Sequence, residues 1–285
     1  MTFNLAIAAI FKNENPYLLE WIEFHRLVGV DHFFLYDNDC GSAARELLAP
    51  YEDEGLVTRH DWTHLDGTRH DRPTHFGGRD KNHMAFGHAA KYHRNECAWL
   101  LKIDIDEFLL PREGHSIPPL LAAFDPNRVK GIRIPRVDFG HSGHRDRPKG
   151  LVIENYLERE SKPSDYKELA NARFLNDNRW MNSAHHWSYR FSPGVRRVNP
   201  DAIDSMWVYH YYTKSLEESM QRQNMMRTRP TSVEQWEAQN AQLNAVHDES
   251  MLRFSPEVKE RLGCLARGER PAEVPRYSPS PKAFA

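Results

Sequence analysis

Apolar runs of strand length alternate with helical stretches through the first 110 residues of the chain. The runs at 5–11, 32–36 and 98–103 consist almost wholly of apolar residues, which is typical of strands buried on both faces of a parallel sheet. Between the first two runs, apolar residues recur at helical spacing from Leu18 to Val28. This alternation predicts a doubly wound α/β fold with a mostly parallel central sheet.

Weaker patterns predict the remaining elements. They are helices at 45–49, 81–94, 213–226 and 233–246 and strands at 56–59 and 131–137. Residues 151–154 form a short apolar piece, and residues 156–205 show no pattern that predicts an element. The stretch 267–285 contains four prolines and is predicted to be poorly ordered. We therefore expect one domain over 1–250 and a C-terminal extension over 251–285.

Composition and charge exclude several classes of protein. Of the 285 residues, 40% are hydrophobic, and 38 Lys and Arg against 40 Asp and Glu give a net charge of −2. This is enough apolar material for a folded core, and without a long basic run nucleic acid is not expected as a partner. No run of about 18 apolar residues predicts a transmembrane segment. The apolar N-terminus lacks the basic residues of a signal peptide, so we interpret it as the first strand.

The use of cysteine indicates a reducing compartment. Cys40, Cys97 and Cys264 are odd in number and widely spaced, so they fit neither a disulfide framework nor a cysteine-based metal site. A cytoplasmic location is therefore expected.

Two aspartates directly follow the clearest buried strand. Side chains alternate along a strand, so Asp104 and Asp106 are predicted to point to one side and Ile105 to the other. Two adjacent carboxylates repel each other unless a cation lies between them, and hard oxygen ligands select Mg²⁺ or Mn²⁺. Ligands of open parallel sheets bind at the carboxyl ends of the strands, where this pair lies. The alternative interpretation is a surface turn, in which aspartate is common.

Polar residues also follow the first two strands. Asn13 and Glu14 end the first strand, and Asp37 and Asn38 end the second. No glycine-rich pyrophosphate motif is present, so side chains rather than backbone would hold a base or ribose here. Each pair is equally consistent with a helix cap or an Asx turn. The convergence of three strand ends on one crevice favours a nucleotide site.

A set of segments resembles glycosyltransferase family 92 and the related family-2-like transferases. In chain order the segments are Ile10–Glu14, Leu19–His25, Gly29–Val30, Tyr36–Asp39, Trp99–Phe108, Phe139–His144, Gly150–Glu154, His185–His186 and His210–Ser215. The resemblance extends over about residues 4–228 and is specific as a set, because the segments keep the family's order.

The resemblance implies a GT-A fold, in which a Rossmann-like nucleotide-sugar half continues into an acceptor half. Here the halves would be 1–110 and 111–250, followed by C-terminal helices. It implies a divalent ion, usually Mn²⁺, between the aspartates and the donor diphosphate. The implied activity is a hexosyltransferase type of glycosyl transfer in polysaccharide or glycan synthesis. A nucleoside-diphosphate sugar, expected to be a UDP-sugar, donates to a hydroxyl acceptor with inversion.

By position, the resemblance also assigns roles to single residues. Asp104 and Asp106 correspond to its D-x-D pair, and His210 to the histidine that completes the metal shell. Residues that fall where such enzymes hold the nucleoside or donor are Asn13, Glu14, Asp37, Asn38 and, near a position where relatives often carry Gln, Arg79. Residues that resemble the loop beside the donor sugar and acceptor are Gly140, Ser142, Gly143 and His144. Glu154 falls near the acidic base of inverting relatives.

Other polar residues have two interpretations each. Lys214 precedes a predicted helix, where it either contacts the diphosphate or is a solvated first-turn lysine. The pair His185–His186 either lines the acceptor groove or caps a strand. If Glu154 is only a solvated strand end, Asp138 and Asp146 are the next candidates for the general base.

Two other functions remain open from the sequence. A haloacid-dehalogenase-type phosphatase also places two such aspartates after a buried strand and would use Asp104 as its nucleophile. Here the pair follows the fourth strand rather than the first, and Glu107 and Phe108 come next. The second is an inactive sugar-nucleotide-binding module. The presence of both aspartates, His210 and several candidate bases favours an enzyme.

Overall fold

The computed structural model describes residues 3–38, 41–63, 81–176, 185–223 and 232–277, apart from the side chains of 222 and 223. The strands are β1 (Phe3–Phe11), β2 (His32–Asp37), β3 (Val57–Asp61), β4 (Cys97–Lys102), β5 (Glu107–Pro111), β6 (Val129–Asp138), β7 (Glu158–Arg159), β8 (Asp165–Asn171), β9 (Arg196–Val198), β10 (Met206–His210) and β11 (Val246–His247). The helices are α1 (Asn15–Leu27), α2 (Gly41–Asp53), α3 (Lys81–Tyr92), α4 (Pro118–Leu121), α5 (Val152–Asn155), α6 (Leu216–Gln223), α7 (Val233–Leu243) and α8 (Ser255–Ala266).

The first four strands form the parallel part of the central sheet, in the order β3-β2-β1-β4. Ile7 of β1 lies opposite Phe33 of β2 and Leu101 of β4. All three side chains are fully buried. The prediction of buried parallel strands in the first part of the chain is therefore confirmed.

Alternate residues of β1 enter different layers of the core. Leu5 and Ile7 pack with residues of α1, α2 and α8, whereas Ala6 and Ala8 pack with residues of α3. This two-residue alternation is the strand period, and both faces of the sheet are covered because both faces of β1 are apolar. Helices on both faces, as predicted, are therefore observed.

The second part of the sheet is mixed rather than parallel. β8 lies antiparallel between β4 and β6, while β10 runs parallel to β6 and antiparallel to β5. Within the described ranges the whole sheet has nine strands, in the order β3-β2-β1-β4-β8-β6-β10-β5 with β9 beside β6. The pairing places His210 opposite Glu107 on one side and Asp138 on the other. This register carries a histidine from late in the chain to the end of β4.

The C-terminal extension contains a docked helix, α8, whose bounds the sequence pattern did not give. Val258 is fully buried, and Leu262 and Leu265 pack against the core at helical spacing. Arg261 donates a hydrogen bond to the buried carboxylate of Glu23 on α1. The expectation of a poorly ordered end falls partly on residues 278–285, which lie outside the described residues. Among those described, no helix is both long and apolar enough to cross a membrane.

Candidate active site

A cleft of about 450 Å³ opens at the carboxyl ends of β1, β2, β4 and β10. We name it the carboxyl-end cleft. Its described lining residues are Ile10, Phe11, Lys12, Glu14, Asn38, Asn82, Asp104, Ile105, Asp106, Glu107, Arg136, His185, His210 and Tyr212. Residues from the ends of three predicted strands thus meet in one crevice, where ligands of α/β sheets bind.

Asp106 and His210 face each other inside the cleft. Nε2 of His210 lies 3.7 Å from Oδ1 of Asp106, and the backbone N–H of Tyr211 donates a 2.8 Å hydrogen bond to the carbonyl of Asp106. Nδ1 of His210 lies 2.9 Å from Oδ1 of Asp138. Burial lowers the pKa of His210, but the carboxylates of Asp106 and Asp138 outweigh burial and raise it to about 9. The imidazole therefore lies between two carboxylates. With a pKa of about 9 it is positively charged at neutral pH when no cation is bound.

Asp104 and Glu107 are tied together by a buried lysine. Nζ of Lys167 lies 3.1 Å from Oδ2 of Asp104 and 2.7 Å from Oε2 of Glu107. Burial lowers the pKa of Lys167, but these carboxylates raise it above its usual value, so the side chain stays charged. Arg136 extends the network, with Nη1 3.5 Å from Oε1 of Glu107 and Nε 3.2 Å from Oδ1 of Asp138. Two cations thus hold the acidic loop after β4 in place.

The donor set of the cleft fits a hard divalent ion. Asp106 contributes a carboxylate oxygen and His210 an imidazole nitrogen across a gap that one ion spans. Asp104 lines the same cleft, and its side chain is 37% exposed, so an oxygen is accessible from solvent. Carboxylates with one imidazole suit Mn²⁺ or Mg²⁺ better than a soft metal. Asp138 accepts from Nδ1–H, the hydrogen bond that orients a metal-binding histidine.

The four residues predicted to hold the nucleoside separate into two groups. Glu14 and Asn38 line the cleft, and Oδ1 of Asn38 accepts a 2.9 Å hydrogen bond from Nζ of Lys81. Asp37 is buried and its Oδ2 lies 3.4 Å from Nη1 of Arg59. Asn13 has a φ of 56°, which shapes the turn between β1 and α1. Asn13 and Asp37 therefore shape the strand ends.

Arg79, predicted to contact the donor, lies outside the described residues.

Lys214 is a buried cation rather than a solvated lysine. It is 1% exposed, and its Nζ lies 3.4 Å from the centre of the Tyr17 ring and 3.9 Å from Oε2 of Glu14. Its φ of 51° places it in the left-handed region just before α6. Because Glu14 lines the cleft, Lys214 lies directly behind the cleft wall.

The glycine loop predicted beside the donor sugar is held by α5 and α7. A side chain at Gly140 would collide with Asn244, and Nε2 of His144 bonds the carbonyl of Asn155 at 3.0 Å. Oγ of Ser142 accepts hydrogen bonds from the backbone N–H groups that follow Tyr156, at 2.8 and 2.9 Å. The described lining residues of the cleft include none of Gly140, Ser142, Gly143 and His144. The segment begins beside the cleft, since the backbone N–H of Phe139 donates a 2.8 Å hydrogen bond to the carbonyl of His210, but these four loop residues do not line it.

Glu154, the predicted base, also lies away from the carboxyl-end cleft. Residues 151–154, described from sequence as an apolar strand-like piece, instead enter the helical turn α5. The carboxylate of Glu154 contacts Nζ of Lys259 at 2.5 Å and accepts from the hydroxyl of Ser255, both on α8. Burial raises its pKa, but these partners lower it below its usual value. Because its carboxylate contacts α8 and does not line the cleft, the geometry does not support Glu154 as the general base.

The two histidines of the pair predicted to line the acceptor groove or cap a strand lie in different places. Nδ1 of His186 is 3.0 Å from the hydroxyl of Tyr166, and His186 does not appear among the described lining residues of the cleft. His185 lines the cleft instead, and its Nδ1 lies 2.8 Å from Oδ2 of Asp165. Burial raises the pKa of Asp165, but His185 and Arg136 contribute to lowering it to about 2.

The mixed α/β fold is consistent with a glycosyltransferase-like α/β architecture, and comparison with known proteins identifies the family. The profile of glycosyltransferase family 92 matches residues 2–261. The chain therefore belongs to glycosyltransferase family 92, and its relatives are glycosyltransferases. This membership leaves no support for the phosphatase alternative.

Two plant proteins are among the relatives. A glycosyltransferase family 92 protein of Ricinus communis is 28% identical over 219 residues, which cover 73% of this chain and 35% of that protein. One of Oryza sativa is 27% identical over 198 residues, with 69% and 31% covered. The chain thus spans about a third of the length of the curated relatives it matches.

A solved glucose-1-phosphate thymidylyltransferase structure from Bacillus anthracis matches 60% of this chain and 72% of its own chain. The match has a TM-score of 0.33 and 11% identity. That likeness is too low to bear on the fold or the function.

Proposed function

We propose that this protein is a metal-dependent glycosyltransferase of GT-A type. It moves a sugar, with inversion, from a nucleoside-diphosphate sugar such as a UDP-sugar to a hydroxyl acceptor. The observation that carries the proposal is the meeting of Asp104, Asp106 and His210 in one cleft, with 3.7 Å between Asp106 and His210. The parallel part of the sheet, within 1–110, forms the nucleotide-sugar half, and 111–250 forms the acceptor half.

Asp104, Asp106 and His210 are the proposed ligands of Mn²⁺ or Mg²⁺. When bound there, the ion neutralises the charge that develops on the leaving nucleoside diphosphate, a contribution of several kcal/mol. Asp138 holds His210 with Nδ1 as donor, so that Nε2 faces Asp106. Lys167 keeps Asp104 from swinging into solvent.

The donor is held by groups from the first two strand ends. Glu14 and Asn38 provide hydrogen-bonding groups for base or ribose, and Lys12 adds a cation to the same wall. Lys214 supplies positive charge directly behind Glu14, where it favours a bound diphosphate through the electrostatic field rather than through direct contact.

We assign the general base to His185, in place of Glu154. A base must remove the proton of the acceptor hydroxyl as that oxygen attacks the anomeric carbon, and imidazole does this near neutral pH. Asp165 accepts the hydrogen bond from Nδ1 of His185, so the lone pair of the neutral ring is on Nε2. Asp165 is a positioning residue in this arrangement, because it acts through the imidazole.

A nucleotide-sugar panel tests the proposal. We expect a nucleoside diphosphate to raise the Tm in the presence of Mn²⁺ and much less in EDTA, and the donor sugar to be hydrolysed slowly without an acceptor. Asp106→Ala should lose the Mn²⁺-dependent shift while keeping the Tm of the metal-free wild type. His185→Gln should keep nucleotide binding and lower kcat by about 10²–10⁴-fold.

Two outcomes would contradict this assignment. If Mn²⁺-dependent nucleotide affinity is unchanged in Asp106→Ala, the assignment of the metal site is wrong. If kcat is unchanged in His185→Gln, the assignment of the base is wrong, but the metal site is not affected by that result.

A further inference from the structure

Three imidazoles meet at β3, the edge strand of the parallel half, away from the residues used so far. His60 belongs to β3, His88 to α3, and His93 to the turn that follows α3. Their ligand-capable nitrogens all lie within 4.8 Å of one another, and Nε2 of His60 is 3.0 Å from Nε2 of His93. We name these three residues the histidine cluster. Asn82, which lines the carboxyl-end cleft, precedes His88 by six residues on α3. This separation corresponds to about 9 Å along the helix axis.

Partners hold two of these rings in defined orientations. Nδ1 of His93 lies 2.8 Å from Oε1 of Glu96, and because a carboxylate only accepts, Nδ1 carries the proton and Nε2 faces His60. Nδ1 of His88 lies 3.0 Å from the hydroxyl of the fully buried Tyr36. A carboxylate or hydroxyl on the far nitrogen of an imidazole is the arrangement that orients metal-binding histidines.

We propose that His60, His88 and His93 form a binding site for a transition metal ion of the zinc type, distinct from the ion of the carboxyl-end cleft. Tetrahedral zinc with metal–nitrogen bonds of about 2.0–2.1 Å needs nitrogens about 3.3 Å apart. The 3.0 Å pair is close to that spacing, and the third nitrogen reaches it by a side-chain movement of about 1.5 Å. The ion replaces the hydrogen bond between His60 and His93, with the proton of His60 moving to its Nδ1.

The chemistry of the ligands sets the class of metal. An all-imidazole set favours Zn²⁺, Cu²⁺, Ni²⁺ or Co²⁺, whereas the carboxylates of the cleft favour Mn²⁺ and Mg²⁺. Three protein ligands leave one coordination position for water, and the half-buried rings of His60 and His88 provide an approach from solvent. An ion there joins β3 to α3, the helix that carries Asn82 at its other end.

Zinc binding to Asp106→Ala protein tests the inference, because this variant lacks the cleft site. We expect calorimetry with ZnCl₂ to show about one ion per metal-free chain and a higher Tm. Glu96→Gln in this background should weaken zinc binding by about 10- to 100-fold, since it weakens the orientation of His93. His88→Ala should weaken it further. The matched control is His115→Ala, which removes an exposed imidazole and should change nothing.

A measurement without any change in the cluster covers the case in which a cluster variant does not fold. Co²⁺ added to the Asp106→Ala protein should give the intense visible absorption of a four- or five-coordinate nitrogen site. A pale, octahedral spectrum would overturn the proposal, as would zinc binding that is unchanged in His88→Ala. In either case the three histidines would serve only to hold β3 and α3 together through hydrogen bonds and side-chain packing. Neither result bears on Mn²⁺ in the cleft, so failure here is distinguishable from failure of the proposed function.

Discussion

The carboxyl-end cleft and the histidine cluster both gather imidazoles, but they surround them with opposite chemistry. His210 lies between Asp106 and Asp138, and although burial lowers its pKa, the two carboxylates raise it to about 9. His60 and His88 are less buried, yet burial and neighbouring histidines lower their pKa to about 4. At His210 the neighbouring carboxylates therefore outweigh burial, whereas at His60 and His88 burial has the larger effect on the pKa.

The difference also separates the two regions by the cation each prefers. The cleft concentrates carboxylates, and Lys167 and Arg136 compensate only part of their negative charge. The charge that remains attracts a further hard cation. The histidine cluster has rings packed against aromatic side chains, with Tyr36 stacked on His60 at 4.8 Å between ring centres. A metal there is held by lone pairs, which favours a softer ion.

The largest expected effect comes from the cleft carboxylate that faces His210. Asp106→Asn should reduce Mn²⁺-dependent sugar transfer by about 1,000-fold, or about 4 kcal/mol, because the ion loses a charged ligand and His210 loses its partner. Steady-state kinetics with a UDP-sugar measures this. Asp204→Asn, at an exposed aspartate, is the matched control. Zinc binding at the histidine cluster should be the same in both variants, and a shared loss would mean that the two regions are one site.

The next effect concerns the stability of the cleft. Lys167→Met should lower the free energy of unfolding by about 3 kcal/mol, because the buried carboxylate of Glu107 loses its cation at 2.7 Å. Urea denaturation in metal-free buffer measures this, with the exposed Lys162→Met as control. Adding Glu107→Gln should restore part of the loss. Equal stability of Lys167→Met and Lys162→Met would show that Lys167 does not compensate the acidic loop.

The sequence predicted the first part of the fold for a simple physical reason. β1, β2 and β4 are buried on both faces, so their apolar runs are unmistakable. β8 was missed because it contains Lys167 and Glu168, which resemble surface residues yet are buried. Their charges are compensated from distant strands, by Glu107 and by Arg197 at 3.2 Å. No local pattern contains that information.

The candidate site divides in the same way. Asp104 and Asp106 follow a strong strand and were identified directly, whereas His210 was included only by resemblance, since its neighbours on β5 and β6 depend on the sheet register. Glu154 was placed by analogy of position, and the helical turn α5 takes it to Lys259 instead. The histidine cluster could not be predicted from local sequence, because the two residues that are closest in space, His60 and His93, are 33 residues apart in the chain.

A smaller effect is expected from the residue behind His210. Asp138→Asn should weaken Mn²⁺ binding by about 10- to 100-fold, because an amide holds Nδ1–H of His210 less firmly than a carboxylate does. Mn²⁺ titration followed by electron paramagnetic resonance measures the affinity. Glu96→Gln is the corresponding change in the histidine cluster and should leave Mn²⁺ binding unaltered. Equal weakening of Mn²⁺ binding by both variants would contradict two independent sites.

The smallest effect is a pH dependence of stability that arises at Asp165, the partner of the cleft residue His185. Burial raises the pKa of Asp165, but the hydrogen bond from His185, the backbone N–H of Tyr166 and the charge of Arg136 lower it to about 2, below its usual 3.8. The folded pKa is below the unfolded one, so this carboxylate stabilises the protein above about pH 4 and stops doing so as the pH falls through 2. The side chain is 32% exposed, and solvent screening limits the contribution to about 1 kcal/mol.

Asp165→Asn measures this contribution. In metal-free buffer the variant should be about 1 kcal/mol less stable than the wild type at pH 5, and the difference should shrink towards zero by pH 2. Urea denaturation across this range gives both curves. A difference that stays constant from pH 5 to pH 2 would mean that Asp165 acts through packing rather than through its charge. The charge of Asp165 would then not strengthen the hydrogen bond from His185, and the base assignment would lose its positioning residue.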